Sequence, residues 1–151
     1  MSHSLVKFYV HIVFHVKNDK IKIRKQDKER LYAYMATVIK DNESNLIRIN
    51  GVENHVHILC TLSKNIAFSK FMELIKKHSS RWIKTMDVHY EKFAWQTGYA
   101  GFSVSPSVLN KTIKYIENQE KHHQKMSYKD ELEHFLKMYK IEYDEKYLWE
   151  D

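Results

Sequence analysis

A chain of 151 residues with 43% hydrophobic content is long enough for one packed core and short for two. The formal charge of +6 and pI near 9.2 favour a polyanionic partner, and 10 Tyr, 7 Phe and 3 Trp supply flat surfaces for unpaired bases. The lone Cys60 excludes a disulfide framework and a cysteine zinc site; three Gly and one Pro leave no Gly-rich phosphate loop, and no run of about 18 apolar residues suits a membrane span. With no leader segment in view either, the expectation is a single domain over residues 1–151, cytoplasmic and without a membrane partner.

The first element reads as a strand, because Val6, Phe8, Val10, Ile12, Phe14 and Val16 occupy every second position. Its opposite face carries Lys7, Tyr9, His11, Val13, His15 and Lys17, a basic and aromatic set that reads, for each residue singly, as a half-exposed sheet face. It brings His11 or His15 to substrate only if it looks toward the polar side of the 55–62 strand. Asn18-Asp19 marks a turn, and residues 26–40 follow as a helix with Leu31, Tyr34, Met35, Val38 and Ile39 at helical spacing.

A strand over 45–52 meets a second, 55–62, through Glu53-Asn54, and so short a connection predicts an antiparallel hairpin. In Asn54-His55-Val56-His57-Ile58-Leu59 the period of two sends His55 and His57 to one face and Val56 and Ile58 to the other. Two imidazoles at i and i+2 on a rigid strand can share one metal ion; the plain alternative is two histidines facing solvent. A second helix over 68–86 carries Phe71, Leu74, Ile75, His78, Trp82 and Ile83 on one side and Lys70, Lys76, Lys77, Arg81 and Lys84 elsewhere. That charge run reads equally as a solvated face or as a phosphate-contacting helix.

Tyr99 to Val104 is strand-like, which completes the order strand, helix, strand, strand, helix, strand. This is the split βαβ arrangement of an α+β, ferredoxin-like sandwich, an antiparallel sheet with helices on one face. The other face is expected to stay open and serve nucleic acid. Ser105-Pro106 starts a further helix, expected to run to about His123 with Leu109, Ile113 and Ile116 as its apolar stripe. Tyr115 and Gln119, four apart, stack on a flank outside that stripe. His122-His123 read as cations at the helix C-terminal end rather than as a metal pair, since sequence neighbours do not share a helix face. Ser127 begins a last helix to about Lys140, with Glu131 near its first turn and Leu132, Phe135, Leu136 and Met138 along it; an acidic, aromatic end runs from Ile141 to Trp149.

His55-Val56-His57, followed by Tyr115-Ile116-Glu117-Asn118-Gln119, resembles the HUH single-tyrosine transposases of the IS200-like family, which includes REP-associated relatives. Trp95-Gln96-Thr97-Gly98-Tyr99, Phe102-Ser103-Val104-Ser105 and the tail Glu142-Tyr143-Asp144-Glu145-Lys146-Tyr147-Leu148 extend the resemblance over nearly the whole chain. The resemblance implies that His55, His57 and Gln119 hold a divalent ion, Mg2+ or Mn2+. It implies that Tyr115 attacks a DNA phosphodiester, becomes joined to the 5′ phosphate and leaves a free 3′ hydroxyl. It also implies a single-stranded DNA partner bearing a hairpin, and a homodimer with composite sites.

The residue types suit that chemistry. A phenol with a pKa of about 10 needs its proton removed or its target polarised, and a metal on a phosphate oxygen does the latter. Exchanging one phosphodiester for another needs no ATP, in keeping with the missing phosphate loop. Lys7, Lys77 and Arg81 are the expected phosphate contacts. Three rivals remain at this stage: a non-catalytic single-stranded nucleic-acid-binding module, a metal-dependent hydrolase of small molecules, and a host-adopted transposase relative acting on genomic palindromes.

Overall fold

A computed structural model describes residues 3–145. Four strands, β1 (Phe8–His15), β2 (Asn45–Val52), β3 (His55–Leu62) and β4 (Ala100–Ser103), form one sheet in the order β2-β3-β1-β4, antiparallel at every pairing. The first two helices are α1 (Lys28–Asp41) and α2 (Phe68–Ile83). Beyond β4 come α3 (Leu109–Glu117), α4 (Gln119–His122) and α5 (Tyr128–Met138). The sheet and its first two helices are the ferredoxin-like α+β sandwich expected from the order of elements.

Alternation sorts the side chains. Ile12, Phe14, Val56, Ile58 and Cys60 are fully buried in one cluster with Leu31, Met35 and Ile39 of α1 and Phe71, Met72 and Ile75 of α2. On the β2–β3 hairpin, Gly51 lies so close to the next strand that a Cβ there would sit 2.2 Å from the His55 carbonyl oxygen, so only glycine fits. The carbonyls of Glu53 and Asn54 accept from the Ile23 and Val16 amides, both at 2.8 Å, which ties down the hairpin's turn. Trp95 and Gln96 hold the segment before β4: the Trp95 indole N–H donates to Ser79 Oγ at 2.9 Å, and Gln96 Oε1 accepts from the His15 amide at 2.9 Å.

The second face of the sheet is not open. Leu132, Phe135 and Leu136 of α5 bury Val13 and Phe102, while Ile116 of α3 packs with Leu59 and Val104. These strand residues are apolar among polar neighbours, and covering them is favoured by roughly 25 cal/mol per Å2 of apolar surface removed from water. The helix expected from Ser105 to His123 is also broken. Ser105 caps a 3-10 turn over Pro106–Val108, and Asn118 (φ −98°, ψ 24°) separates α3 from α4. α2 ends at Ile83, three residues short of its expected end.

Candidate active site

β3 delivers the first two groups. His55 and His57 lie on its α3–α5 side, both fully buried, while Val56 and Ile58 anchor the strand in the opposite core. Each imidazole is held from behind. His55 Nδ1 donates to Asn54 Oδ1 at 2.7 Å, and His57 Nδ1 shares a 2.8 Å hydrogen bond with Nε2 of His11 on β1. Fixing one ring nitrogen in this way leaves the other aimed inward, as metal-ligating histidines require.

The inward nitrogens meet a carboxylate. Glu131, from the first turn of α5 and 1% exposed, places Oε1 2.9 Å from His57 Nε2, 3.2 Å from His55 Nε2 and 3.1 Å from His123 Nε2. Its Oε2 accepts from the Tyr115 hydroxyl, which lies within hydrogen-bonding distance, and from Gln119 Nε2 at 3.3 Å. Gln119 Oε1 faces His55 Nε2 at 3.3 Å. The Tyr115 ring sits 5.8 Å from His57 and stacks on His122 at 4.5 Å.

Electrostatics follows from burial. Desolvation, with a smaller repulsion from His57, holds His11 down at about 3, and desolvation holds His55 down at about 4 against its bond to Glu131. Burial opposes the charge on Glu131, but hydrogen bonds from His123, His55 and His57 outweigh it and keep the carboxyl far below the usual range. Burial and the Glu131 charge raise the Tyr115 phenol well above its ordinary value. In this arrangement the proton stays on the phenol.

The donor set fits a cation. With its Nδ1–H committed to Asn54, a neutral His55 has no Nε2 proton to give Gln119 Oε1 or Glu131 Oε1. Its bond to the carboxylate therefore needs a second proton on the ring, which burial opposes, or a cation in that proton's place. His55, His57, His123 and Glu131 offer ligand atoms all within 4.8 Å of one another, the spread expected around one metal ion with bonds of about 2.0–2.2 Å. The imidazoles and oxygens together suit a borderline divalent ion such as Mn2+ or Zn2+ at least as well as Mg2+.

The structure thus brings together His55, His57, Tyr115 and Gln119 within one chain. It also recruits residues that sequence reasoning missed or set aside. His123 is not an isolated helix-end cation: Tyr115, Gln119 and His123 repeat at intervals of four, a spacing that points one way. Glu131 sits four residues before Phe135, which places a carboxylate inside the apolar stripe of α5. His11 faces the site from behind His57, whereas His15 bonds the Val16 carbonyl at 2.7 Å and packs on Tyr128 instead. Lys7, Lys77 and Arg81 are exposed; the last two lie on α2, across the sheet from the imidazoles.

A ferredoxin-like sheet with an imidazole pair on its central strand, beside a helical phenol, defines a protein of the HUH type. The family model described as "Transposase IS200 like" matches residues 4–119, and the chain belongs to that family. Two solved structures share the fold. One, named "putative transposase" from Deinococcus radiodurans R1, is 18% identical, covers 79% of this chain and 95% of its own, and gives a TM-score of 0.62. The other is a REP-associated tyrosine transposase bound to a REP hairpin, 16% identical, covering 82% of this chain and 74% of its own, with a TM-score of 0.61. The comparison with curated proteins gave no match. Among the described residues, no helix is long and apolar enough to cross a membrane.

Proposed function

We propose that the chain, acting as a single domain over residues 1–151, cleaves and rejoins single-stranded DNA at hairpin-marked sites through Tyr115. One observation carries the reading: the Tyr115 hydroxyl is bonded to the same carboxylate on which three imidazoles converge. The Tyr115 oxygen forms a bond to phosphorus as the bond from phosphorus to the 3′ oxygen breaks. The 3′ oxygen leaves as a free hydroxyl, gaining in net the one proton that the tyrosine gives up, and the 5′ phosphate stays on the tyrosine. The reverse step rejoins a strand without ATP, because one phosphodiester replaces another.

His55, His57 and Gln119 would hold a divalent cation, Mg2+ or Mn2+, with His123 and Glu131 as further ligands. A bound cation supplies Lewis-acid polarisation of the phosphate and offsets charge gathering in the transition state. Glu131 Oε2 accepts from the Tyr115 hydroxyl and is the group placed to receive its proton, against the opposition of its own depressed pKa. The hairpin partner is supported by the REP hairpin on the structural neighbour. The substrate is accordingly a mobile-element end or, for a host-adopted relative, a genomic palindrome.

The test mixes the protein with hairpin-bearing single-stranded DNA and Mn2+ and resolves the products on a denaturing gel. A covalent adduct lost in Tyr115→Phe supports the reading; tight binding with no adduct favours a non-catalytic binding module. The family resemblance implies a homodimer with composite sites, whereas the intrachain position of Tyr115 supports a site completed within one subunit. Mixing inactive Tyr115→Phe with inactive His57→Ala discriminates, since restored cleavage requires a tyrosine from one chain and histidines from another.

A further inference from the structure

Among the open cavities bordered by cations, two differ in how those cations are spent. One, of about 610 Å3, is bordered by Lys22, Arg24, Lys25 and Lys28. Every one of these has an acidic partner: Lys22 reaches Asp19 and Glu53 at 3.9 Å, and Arg24 reaches Asp27 at 3.0 Å and Asp87 at 3.2 Å. Lys25 and Lys28 both reach Glu120 at 3.6 Å. The other cavity, of about 630 Å3, is lined by Asn118, Lys121, His122, Gln124, Lys125 and Met126, without one acidic side chain. Lys121 and Lys125 are exposed, and among the described residues neither has a carboxylate within 4.0 Å.

The short helix α4 makes this division. Gln119 turns inward to His55, Glu120 turns to Lys25 and Lys28, and Lys121 and His122 turn to the second cavity. His122 lies flat against the Tyr115 ring, so one wall of the acid-free cavity rests on the phenol's ring.

We propose that this second cavity binds the phosphate backbone of the DNA strand flanking the bond to be cut, with Lys121 and Lys125 as the phosphate contacts and Asn118 and Gln124 as neutral donors. Charge complementarity and the link to Tyr115 through His122 select single-stranded DNA as the occupant. Unpaired lysines release their counterions to a polyanion, whereas lysines already matched to carboxylates gain less. The assignment rests on the DNA-cleaving reading of Tyr115 and adds to it the surface that delivers the phosphate.

The experiment measures anisotropy of a fluorescein-labelled single strand lacking a hairpin, across salt concentrations of about 50 to 200 mM. In Lys121→Gln/Lys125→Gln, affinity should fall about tenfold and the salt slope by about 1.4, two contacts at about 0.7 each. Both side chains are exposed, so the melting temperature should stay put. Lys25→Gln/Lys28→Gln should bind within about twofold of the unaltered protein. Unchanged affinity and slope in the first variant, or an equal loss in the second, overturns the assignment. If the unaltered protein forms the Tyr115 adduct in either case, the functional reading survives; if it forms no adduct and binds no strand, both fall.

Discussion

Two buried carboxylates organise this molecule, and their partners make them different things. Asp27, 8% exposed, accepts from the Tyr90 hydroxyl at 2.6 Å and from Arg24 Nε at 3.0 Å. Glu131, 1% exposed, faces three imidazoles, a phenol and an amide. Both carboxyls are held below their ordinary range because hydrogen bonds outweigh the penalty of burial. A guanidinium keeps its protons at any ordinary pH, so Asp27 is matched permanently and acts as a tie between the segment entering α1 and residues 87–90. Imidazoles are neutral or charged near neutrality and can exchange a proton for a metal. The same direction of shift therefore marks a fastening in one place and an exchangeable site in the other.

The contrast is sharpest in its response to metal. Mn2+ at about a hundred times its dissociation constant should stabilise the chain by about 2.7 kcal/mol, a rise of about 5–10 °C in melting temperature. His57→Ala and Glu131→Gln should each abolish that rise, whereas Asp27→Asn should keep it. A rise that survives both of the first two would move the ion elsewhere. Tyr90→Phe should do the opposite, lowering metal-free stability by about 1–3 kcal/mol in urea unfolding while leaving the metal response intact. It strips buried Asp27 of a donor and the Arg24 amide of its acceptor at 3.0 Å.

These nodes were unequally legible in the sequence. Alternation in Ile12-Val13-Phe14 and Val56-His57-Ile58 fixes which side chains share a face, because period two is enforced by the pleat. The topology then follows from short connections such as Glu53-Asn54. Tyr115 and Gln119 were readable as a helical pair because their spacing survives the break at Asn118. That same continuity hid the break, since a pattern repeating every four residues does not reveal a local change in ψ. Glu131 was hidden by its chemistry: a carboxylate in a polar-looking stretch reads as solvated surface, and only packing on Leu132, Phe135 and the second sheet face takes it inside. The family match ends at Gln119, short of both His123 and Glu131.

Positioning from behind is the next smaller effect. His11 holds His57 by a 2.8 Å hydrogen bond and packs its ring on His57, Tyr115 and Phe135. Removing such an outer partner weakens metal binding about 10- to 100-fold in comparable sites. His11→Ala should therefore sit at about tenfold, measured by calorimetric Mn2+ titration, with stoichiometry unchanged. A loss as complete as that of His57→Ala would mean that His11 is itself a ligand.

The smallest effect is expected in acid, and it belongs to the permanent tie. Burial alone would raise the Asp27 carboxyl, but the bonds from Tyr90 and Arg24 bring it below its unfolded value of 3.8. A carboxyl depressed on folding contributes fully above its unfolded pKa, and the contribution is lost as pH falls through the folded one, because the unfolded chain takes up its proton first. Urea unfolding of the metal-free chain from about pH 5 downward should show this as a decline in stability. In Asp27→Asn the whole curve should be lower and its acid limb less steep, since the group that titrates differently in the two states is gone. Parallel curves for the two proteins would show that Asp27 releases its proton alike folded and unfolded. The 2.6 Å contact with Tyr90 would then do no more than fill space, and the distinction between the two carboxylates would lose its electrostatic basis.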